Sequence, residues 1–456
     1  MVAAQAEWGN MRPRVALNGD NQPVVIWTNN ATSSVYCSLG NGEAFTPPVK
    51  LNPDGLDISA FDWSGPEIAS NGNSIFVVFK QVPETSLPIY CVHSNDGGWT
   101  WSDTVRVDSS LPLMSRMPSV GVTGDGNPVV AFMREDTQII QSEWMACVSS
   151  DGGNSFGDPV SVSQFSGEEV CDCCPSSVLI NGNNIAVLYR NNDNNLRDIR
   201  AGISTDGGAT FTLSADMDDL DWIIGACPSS GPQGYYAGNE IRSAWMSSAS
   251  GDARVFYSSF DQENMLFSGS FPVEQVASNQ TQNYPTLAGD DNDIAIALEQ
   301  FQSGQRDIYF SWSNGNFEEN NYSNLTASME GNQMRPHMVF DGLRWHLVFT
   351  DNGGDAVQYL SIQWSGGNGV DENNVPGFSI YPNPSQGRLT LTRHGEQLHV
   401  STYQIIDASG KVVMEKTAGG ASGDRSTELD GSSLVPGFYF VKTTDGSAPV
   451  KWIRMD

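Results

Sequence analysis

Arginine and carboxylate side chains recur beside short apolar runs throughout the first three quarters of the chain. A planar guanidinium binds a carboxylate, sulfate or phosphate through two parallel hydrogen bonds, and residues 1–364 contain 13 Arg but only two Lys. Tryptophan side chains add flat apolar faces that can stack on sugar rings. An Arg beside an Asp also forms structural ion pairs, which is the alternative role for each position. The candidate ligand-binding residues are Trp63, Arg116, Arg134, Glu135, Asp136, Arg190, Asp193, Arg197, Asp198, Trp222, Glu299 and Arg306.

The charge balance of the 456 residues narrows the classes of partner. There are 53 acidic and 23 basic residues, so the formal charge is −30 and the isoelectric point is near 4.3. A protein that binds nucleic-acid phosphates needs a basic surface, and the sequence contains no basic stripe. No apolar run reaches the roughly 18 residues of a membrane helix. No signal peptide follows Met1, so we expect the chain to start at a mature end with an added Met.

A repeat of 51 to 57 residues must position these side chains. Each copy has a proline, a short apolar strand, a Gly/Asn/Asp turn, a second apolar strand, a polar loop and a third strand. No segment keeps a 3.6-residue apolar period. Four short strands in about 50 residues are typical of a β-propeller blade, which buries its faces only against neighbouring blades in a ring. The opening prolines are Pro13, Pro66, Pro118, Pro175, Pro228, Pro285 and Pro336.

The sequence therefore predicts an all-β protein with a propeller over residues 1–364. Seven blades are expected, and six blades with one irregular repeat are the alternative. The last repeat has three clear strands, over about 336–363, but no clear fourth. The stretch Val2–Trp8 is predicted to supply that outer strand and so to close the ring.

A second motif lies in the turns between third and fourth strands. It reads Ser-x-Asp-Gly-Gly-x-Ser/Thr-aromatic and occurs three times at a spacing of 55 residues. The Asp can accept hydrogen bonds from turn amides, the glycines can take positive φ, and the aromatic residue can pack between sheets, so a structural role is expected. The motif resembles the Asp-box (BNR) repeat of the sialidase-like propellers. Its residues are Ser94, Asp96, Gly98, Trp101, Ser149, Asp151, Gly153, Phe156, Ser204, Asp206, Gly208 and Phe211.

Propeller geometry places the ligand site on the opposite face. The first-to-second and third-to-fourth strand turns share one face, so the second-to-third loops and the connections between blades share the other, over the central funnel. The connections also bring Arg12, Phe61, Asp62, Tyr284 and Arg335 to this loop face.

Sialidases of this family bind the substrate carboxylate with three Arg and use a Tyr–Glu pair as nucleophile and an Asp as acid/base. The nearest match to the family's Arg-Ile-Pro motif is Arg116-Met117-Pro118, in the third repeat rather than the first. The family also normally has six blades. We assign no catalytic residue; the positions considered for the Arg triad and the Tyr–Glu pair are Arg190, Arg242, Arg306, Glu240, Glu299 and Tyr284.

The chain ends in a separate small β unit, residues 377–456, after a flexible linker at 365–376. This unit closely resembles the C-terminal sorting domain of proteins exported by the type IX secretion system, a small immunoglobulin-like β-sandwich. The resemblance implies export across two membranes, a secreted or cell-surface location and the secretion machinery as a partner. The residues that carry it are Tyr381, Pro382, Asn383, Pro384, Gly387, Gly410, Gly437, Tyr439 and Lys451.

The seven cysteines fall into two groups. Cys37, Cys91 and Cys147 are expected to be free core thiols, although Cys37 and Cys91 could pair across adjacent blades. The second group is Cys171, Cys173, Cys174 and Cys227. Export favours disulfides here. Either Cys173 or Cys174 could reach Cys227, with Cys171 pairing the remaining thiol, and a thiolate site for copper(I) or zinc is the alternative. The Cys171–Pro175 run resembles a subset of sialidase-like proteins.

Three functions are consistent with these residues. The first is a secreted or surface propeller that binds glycans or acidic sugars on the loop face. The second is an exo-sialidase or another glycoside hydrolase or lyase acting on acidic glycans. The third is an adhesion propeller that binds another protein. No cofactor and no metal site are predicted, and structural calcium at the Asp-rich turns is left open.

Overall fold

The computed structural model describes residues 2–4, 9–41, 44–108, 114–135, 142–164, 169–274, 277, 279–314, 317, 321–353, 356–363, 378–381, 385–393, 402–407, 411–417, 426–443 and 450–454. These residues form 36 β-strands and contain no α-helix. Over the same ranges, no helix is available to span a membrane. The chain divides into two compact units, Met1–Trp364 and Ser365–Asp456.

The described part of the first unit forms seven small antiparallel sheets. The first sheet contains β2 (Asn10–Leu17), β3 (Pro23–Asn29), β4 (Ser34–Leu39) and β5 (Val49–Lys50). The second contains β6 (Glu67–Asn71), β7 (Ser74–Lys80), β8 (Ile89–Ser94) and β9 (Val105–Arg106). The third contains β10 (Met114–Val122), β11 (Pro128–Glu135), β12 (Ser142–Val148) and β13 (Val160–Ser161). The fourth contains β14 (Ser177–Asn181), β15 (Asn184–Arg190), β16 (Ile199–Ser204) and β17 (Leu213–Asp216).

The remaining three sheets follow the same order. The fifth contains β18 (Gln233–Ala237), β19 (Glu240–Ser247), β20 (Arg254–Asp261), β21 (Leu266–Phe267) and β22 (Phe271–Pro272). The sixth contains β23 (Thr281–Gly289), β24 (Asp293–Gln302), β25 (Gln305–Asn314) and β26 (Asn321–Asn324). The seventh contains β27 (Gln333–Phe340), β28 (Arg344–Asp351), β29 (Ala356–Gln363) and, as its outer strand, β1 (Ala3–Ala4) from the start of the chain.

The second strand of each sheet is the most deeply buried. In β3 every residue is buried, and β7, β15 and β28 each have only one residue that is not. A strand covered on both faces reads as a continuous apolar run rather than as an alternating one. This explains why runs such as Val24–Trp27 and Ile75–Phe79 stand out in the sequence.

Apolar clusters join each sheet to the next and close the series. Successive sheets share one cluster at each contact. The last cluster joins the first sheet to the seventh, with Val15 and Trp27 packed against Val348 and Val357. The first strands of all seven sheets line one central cavity of about 750 Å³. The sheets therefore surround an axis.

The three Ser-x-Asp-Gly-Gly turns, here called the SxDGG turns (94–101, 149–156 and 204–211), have the same hydrogen bonds. In the first, the Ser94 hydroxyl donates to Asp96 Oδ1 at 2.7 Å and accepts from the Gly98 amide at 2.8 Å. The Thr100 amide and hydroxyl donate to the two Asp96 oxygens at 2.9 and 2.6 Å. The other two turns repeat these contacts. The aromatic residue that follows packs into the cluster shared with the preceding sheet.

The second unit contains two antiparallel sheets around one core. The first sheet has β30 (Phe378–Tyr381), β31 (Arg388–Arg393) and β34 (Ser426–Asp430), and the second has β32 (Thr402–Asp407), β33 (Val412–Thr417), β35 (Gly437–Thr443) and β36 (Val450–Arg454). Leu391 and Leu429 of one sheet meet Tyr403 and Trp452 of the other. The Tyr439 hydroxyl donates to the Val435 carbonyl at 2.7 Å. Of the residues highlighted by sequence, Pro382, Asn383, Pro384 and Gly410 lie outside the described residues.

Candidate functional site

Four first strands share one irregularity at the loop-face end. The residue before the strand's proline has positive φ although it is not glycine: 48° at Arg12, 49° at Met117, 47° at Tyr284 and 56° at Arg335. At each of these positions the register with the second strand shifts. Positive φ is unfavourable for residues with a side chain, and such strain is concentrated at functional sites. The strained residues stand where the first strands enter the central ring.

Arg335 lies at the centre of the most elaborate of these arrangements. Its guanidinium is 3.5 Å from the centre of the Tyr284 ring, and its Nη1 donates to Glu299 Oε1 at 2.7 Å. Its Nε donates to the Asp62 carbonyl at 2.5 Å, and its Nη2 is 3.7 Å from Asp62 Oδ2. One guanidinium therefore connects the sixth and seventh sheets with the loop that precedes the second. Arg306 approaches the other Glu299 oxygen at 3.9 Å and is about half exposed.

The carboxylates on either side of Arg335 differ in exposure. The Asp62 side chain is 51% exposed, whereas that of Glu299 is 3% exposed. Burial raises the pKa of Glu299, although the charge of Arg335 opposes this rise. Burial also raises the pKa of Tyr284. Arg335 is therefore in contact with one buried carboxyl group, whose pKa is raised, and with one exposed carboxyl group.

A second cluster of ion pairs joins the first strands of the first and second sheets. Arg12 and Arg14 both bind Glu67, with Arg14 Nε 3.0 Å from Oε2, and Arg12 also donates to the Pro66 carbonyl at 2.7 Å. Burial would raise the pKa of Glu67, but the two guanidinium charges lower it to about 2. His337 accepts from the Val15 amide at 3.1 Å, and burial lowers its pKa to about 3. These groups pair with one another inside the protein, and Arg12 Nε alone among the guanidinium nitrogens of Arg12 has no hydrogen-bond partner in the described residues.

An aromatic pair borders this region on the solvent side. The rings of Phe61 and Trp63 stack at 5.6 Å with an interplanar angle of 8°. Phe61 is 43% exposed and Trp63 is half-buried. Trp63 also lines a recess of about 40 Å³ together with Asp62, Tyr284 and Arg335. The exposed part of this pair, mainly Phe61, therefore lies next to a guanidinium and a carboxyl group, while Trp63 also packs against the cluster shared by the third and fourth sheets.

Two of the Arg candidates in the third sheet are engaged in ion pairs. Arg116 binds Glu84 through Nε at 3.1 Å and Glu135 through Nη1 at 3.3 Å. Glu135 is fully buried, and burial raises its pKa against the opposing charge of Arg116. Arg134 pairs with Glu143 on the neighbouring strand β12. Asp136, the third member of that predicted group, lies outside the described residues.

The candidates of the fourth sheet are mostly buried inside the protein. Arg190 is fully buried and donates to the carbonyls of Arg197, Ser230 and Met246 at 2.6, 3.3 and 2.7 Å. Trp222 is buried beneath the Arg190 guanidinium, at 5.3 Å, and so offers no open face to a sugar. The physical reason is that the connection carrying Trp222 folds back over the strand end. Burial protects both side chains from solvent.

The other candidates of the fourth sheet, Arg197, Asp198 and Asp193, are also buried or half-buried. Arg197 and Asp198 are both buried, and burial raises the pKa of Asp198 to about 6. Trp222 donates its amide to Asp198 Oδ1 at 3.3 Å. Asp193 is half-buried in the short β15–β16 hairpin, where it accepts from Asn194 Nδ2 at 2.8 Å. None of these residues lies beside Arg335 in a described contact, so the predicted set separates into distinct local groups.

The cysteines of the second group converge at one place. Cys173 and Cys227 form a disulfide, so of the pairings left open by sequence the structure contains the one through Cys173. The expected pairing of Cys171 with the remaining thiol is not formed: Cys171 and Cys174 are buried free thiols, and their sulfurs are 3.3 Å apart, well beyond an S–S bond of about 2.05 Å. Cys37, Cys91 and Cys147 are buried free thiols, and burial raises the pKa of each.

Sequence reasoning placed Arg335, Tyr284 and Asp62 on the loop face but did not include them among the ligand-binding candidates. A signal was present for two of them, because Tyr284 and Arg335 directly precede repeat prolines. Asp62 and Phe61 carry no comparable signal. Their place in the site depends on how the loop before the second sheet folds.

Comparisons with known proteins identify a family for the C-terminal segment. Residues 379–453 match the family described as the secretion system C-terminal sorting domain. The chain therefore carries this domain and is a type IX secreted protein, destined for the cell surface or the extracellular space. A search of curated proteins gave no match to the sequence.

Solved structures resemble the first unit. An ulvan lyase of polysaccharide lyase family PL25, bound to a GlcA(1-4)Rha3S unit, is 9% identical and gives a TM-score of 0.51, covering 78% of this chain and 94% of its own. A GH93 α-L-arabinofuranosidase of Fusarium graminearum, in complex with arabinobiose, is 12% identical with a TM-score of 0.48, covering 69% of this chain and 96% of its own. A Trypanosoma rangeli sialidase is 14% identical with a TM-score of 0.44, and the match covers 68% of this chain and 54% of the sialidase chain. At such identities the likeness to the lyase is one of β-propeller fold alone.

Proposed function

We propose that the chain is a secreted or cell-surface seven-bladed propeller that binds acidic glycans on its loop face. The seven sheets around one axis support the blade count, and β1 on the outer edge of the seventh sheet supports closure by the N-terminal strand. The SxDGG turns are proposed to be Asp-box (BNR) repeats with a structural role. The two-sheet second unit is proposed to be the immunoglobulin-like sandwich of the sorting domain.

The observation that carries the glycan proposal is the open aromatic pair beside a charged group. Phe61 and Trp63 present an apolar surface to solvent, and sugar rings stack on such faces through their C–H bonds. Arg335 lines the same recess as Trp63, and Arg306, which also approaches Glu299, is about half exposed. A guanidinium near an aromatic platform suits a sugar that carries a carboxylate or a sulfate. We assign the binding site to Phe61 and Trp63 with the adjacent Arg335, here called the aromatic rim, rather than to Arg190 and Trp222.

The test measures binding at this rim against a matched tryptophan. Trp63→Ala should weaken binding of an acidic oligosaccharide, such as one containing GlcA(1-4)Rha3S, by about tenfold because the platform is removed. Trp99→Ala is the control, since Trp99 is 64% exposed but belongs to an SxDGG turn. Isothermal titration would measure both variants over a panel of neutral, sialylated and uronate-containing oligosaccharides. Equal losses in the two variants, or binding of no acidic glycan by the wild type, would exclude this site.

A second candidate function is cleavage of an acidic glycan at the same rim. The observation that favours it is the pair of carboxyl groups, Asp62 and Glu299, that both contact the Arg335 guanidinium. Two-carboxylate hydrolases place such groups about 5–10 Å apart, and a Tyr can replace one of them. Tyr284 is in ring contact with the same guanidinium.

Turnover separates this candidate from binding alone. Product release from an acidic oligosaccharide should be abolished by Tyr284→Phe, which removes only a hydroxyl, while affinity for the oligosaccharide is retained. Absence of any product with the wild type, under conditions where binding is saturated, would reject cleavage and leave the binding proposal unaffected.

A further inference from the structure

Four cysteine sulfur atoms lie close together between the interior of the first unit and its surface, with those of Cys171, Cys173 and Cys174 all within 4.8 Å of one another. Cys174 is fully buried, with its Sγ 3.3 Å from that of Cys171. The Cys171 Sγ lies 3.5 Å from that of Cys173, which is bonded to Cys227. Cys227 is exposed. A pair of thiols therefore touches an existing disulfide, and the far end of that disulfide is open to solvent.

The surroundings of Cys171 favour its thiolate form. Hydrogen bonding with Cys174 lowers the pKa of Cys171, and the charges of Arg197 and Arg190 act in the same direction. The Nε and Nη1 atoms of Arg197 are buried and have no hydrogen-bond partner in the described part of the chain. Burial raises the pKa of Cys174. The pKa values of the two thiols are thus shifted in opposite directions, although burial opposes the lowering of the Cys171 pKa.

We propose that these four cysteines form a thiol–disulfide exchange site, in which one disulfide moves between Cys173–Cys227 and Cys171–Cys174. In the first step the Cys171 thiolate bonds to Cys173 Sγ, the Cys173–Cys227 bond breaks, and Cys227 leaves as a thiolate that takes a proton from solvent. In the second step Cys174 loses its proton to solvent and bonds to Cys171 Sγ, and Cys173 leaves and is protonated. Two thiols and one disulfide are present before and after, so no oxidant or reductant is consumed.

The exchange changes whether the connection that contains Cys227 is held to the protein on the loop face. Cys227 lies in the connection that follows Trp222, and Trp222 covers the Arg190 guanidinium. With the disulfide at Cys173–Cys227 this connection is tied to the cysteine cluster, and with the disulfide at Cys171–Cys174 it is released with a free surface thiol. The site goes beyond glycan binding and stands or fails independently of it.

The experiment traps the exposed thiol in the native full-length chain. N-Ethylmaleimide alkylates Cys227 irreversibly once it is released, and proteolysis at low pH followed by mass spectrometry locates the disulfide. We expect the wild type to accumulate alkylated Cys227 together with a Cys171–Cys174 disulfide. Cys147→Ser, which removes a buried free thiol outside the cluster, should behave as the wild type.

Variants within the cluster test the order of attack. Cys171→Ser should slow alkylation of Cys227 by at least about tenfold, because the attacking thiolate is lost. Cys174→Ser should still release Cys227 but leave a Cys171–Cys173 disulfide, and it supplies the test if Cys171→Ser does not fold. Retention of Cys173–Cys227 alone in the wild type throughout the incubation would overturn the proposal. So would a wild type isolated with both disulfides already formed.

Discussion

The two ends of the propeller are built on different principles. In the SxDGG turns, the distance from the Ser hydroxyl to Asp Oδ1 is 2.7, 2.9 and 2.7 Å in the three copies, and that from the last hydroxyl to Oδ2 is 2.6 Å in each. On the loop face, Arg116, Arg190 and Arg335 each have different partners. Arg116 binds two glutamates, Arg190 binds three backbone carbonyls, and Arg335 joins Glu299 with Asp62.

This difference shows where the repeat is maintained and where it has diverged. The SxDGG turns join neighbouring sheets in the same way each time, so one solution serves several blades. The loop-face arginines meet different neighbours because the connections between blades differ in length and sequence. A site that recognises one ligand needs such asymmetry, and we therefore expect function on the divergent face.

The largest expected effect on stability comes from Arg190, a loop-face arginine whose side chain donates its hydrogen bonds to buried backbone carbonyls. Arg190→Met should lower the free energy of unfolding by about 3 kcal/mol, because it leaves buried carbonyls without a donor. Arg134→Met is the matched control: its ion pair with Glu143 is partly exposed, so the loss should stay below about 1 kcal/mol. Urea denaturation of the full-length proteins measures both. Similar losses in the two variants would show that burial does not separate these arginines.

A smaller loss of stability is expected from substitutions of two adjacent glycines in an SxDGG turn. A Cβ on Gly208 would lie 2.7 Å from Val148 Cγ2 of the preceding sheet, whereas one on Gly207 meets nothing within 4 Å. Both residues have positive φ, 87° and 75°. Gly208→Ala should cost about 2–3 kcal/mol, from strain plus overpacking, and Gly207→Ala about 1 kcal/mol, from strain alone.

The same urea titrations check this pair. A Gly207→Ala variant as unstable as Gly208→Ala would indicate that backbone conformation alone matters. The turn would then contribute little to contact between the sheets.

The same contrast explains how much the sequence could predict. The all-β class and the ring of small sheets follow from local signals: buried second strands appear as apolar runs, and turns appear as Gly-rich motifs. The hydrogen bonds of an SxDGG turn close within eight residues, so their pattern can be read directly. The contact between Arg335 and Asp62 joins residues 273 positions apart, and no local signal encodes it.

The burial of individual side chains is the second feature of the site that the sequence does not predict. The Arg190 and Trp222 candidates were chosen for residue type and position, but the sequence does not say which loop-face side chains the connections cover. Trp63 and Trp222 look alike in the sequence, yet one borders solvent and the other lies under a guanidinium. The choice of Cys173 rather than Cys174 as the partner of Cys227 likewise depends on the direction of each side chain.

The smallest expected effect concerns the charge of an SxDGG aspartate. Hydrogen bonds from the Thr210 side chain and amide and from Ser204 lower the pKa of Asp206 to about 2, below the value near 3.9 of an unfolded chain. A lowered pKa stabilises the fold above pH 4 or so, and this contribution disappears as the pH falls through about 2. Asp206→Asn should therefore be less stable than the wild type at pH 7, by no more than about 1 kcal/mol because the carboxylate is exposed to solvent.

The pH dependence provides the decisive measurement for that aspartate. The difference between the wild type and Asp206→Asn in urea midpoint should shrink from pH 5 to pH 2, since protonation makes the wild-type side chain neutral as well. Asp20→Asn is the control, because the Asp20 side chain is exposed and has no hydrogen bond to any residue the structure describes. A difference that persisted at pH 2 would mean that the turn depends on the geometry of the oxygen atoms and not on charge. The SxDGG turns would then stabilise the ring through shape alone, and the contrast with the ion-paired loop face would become sharper.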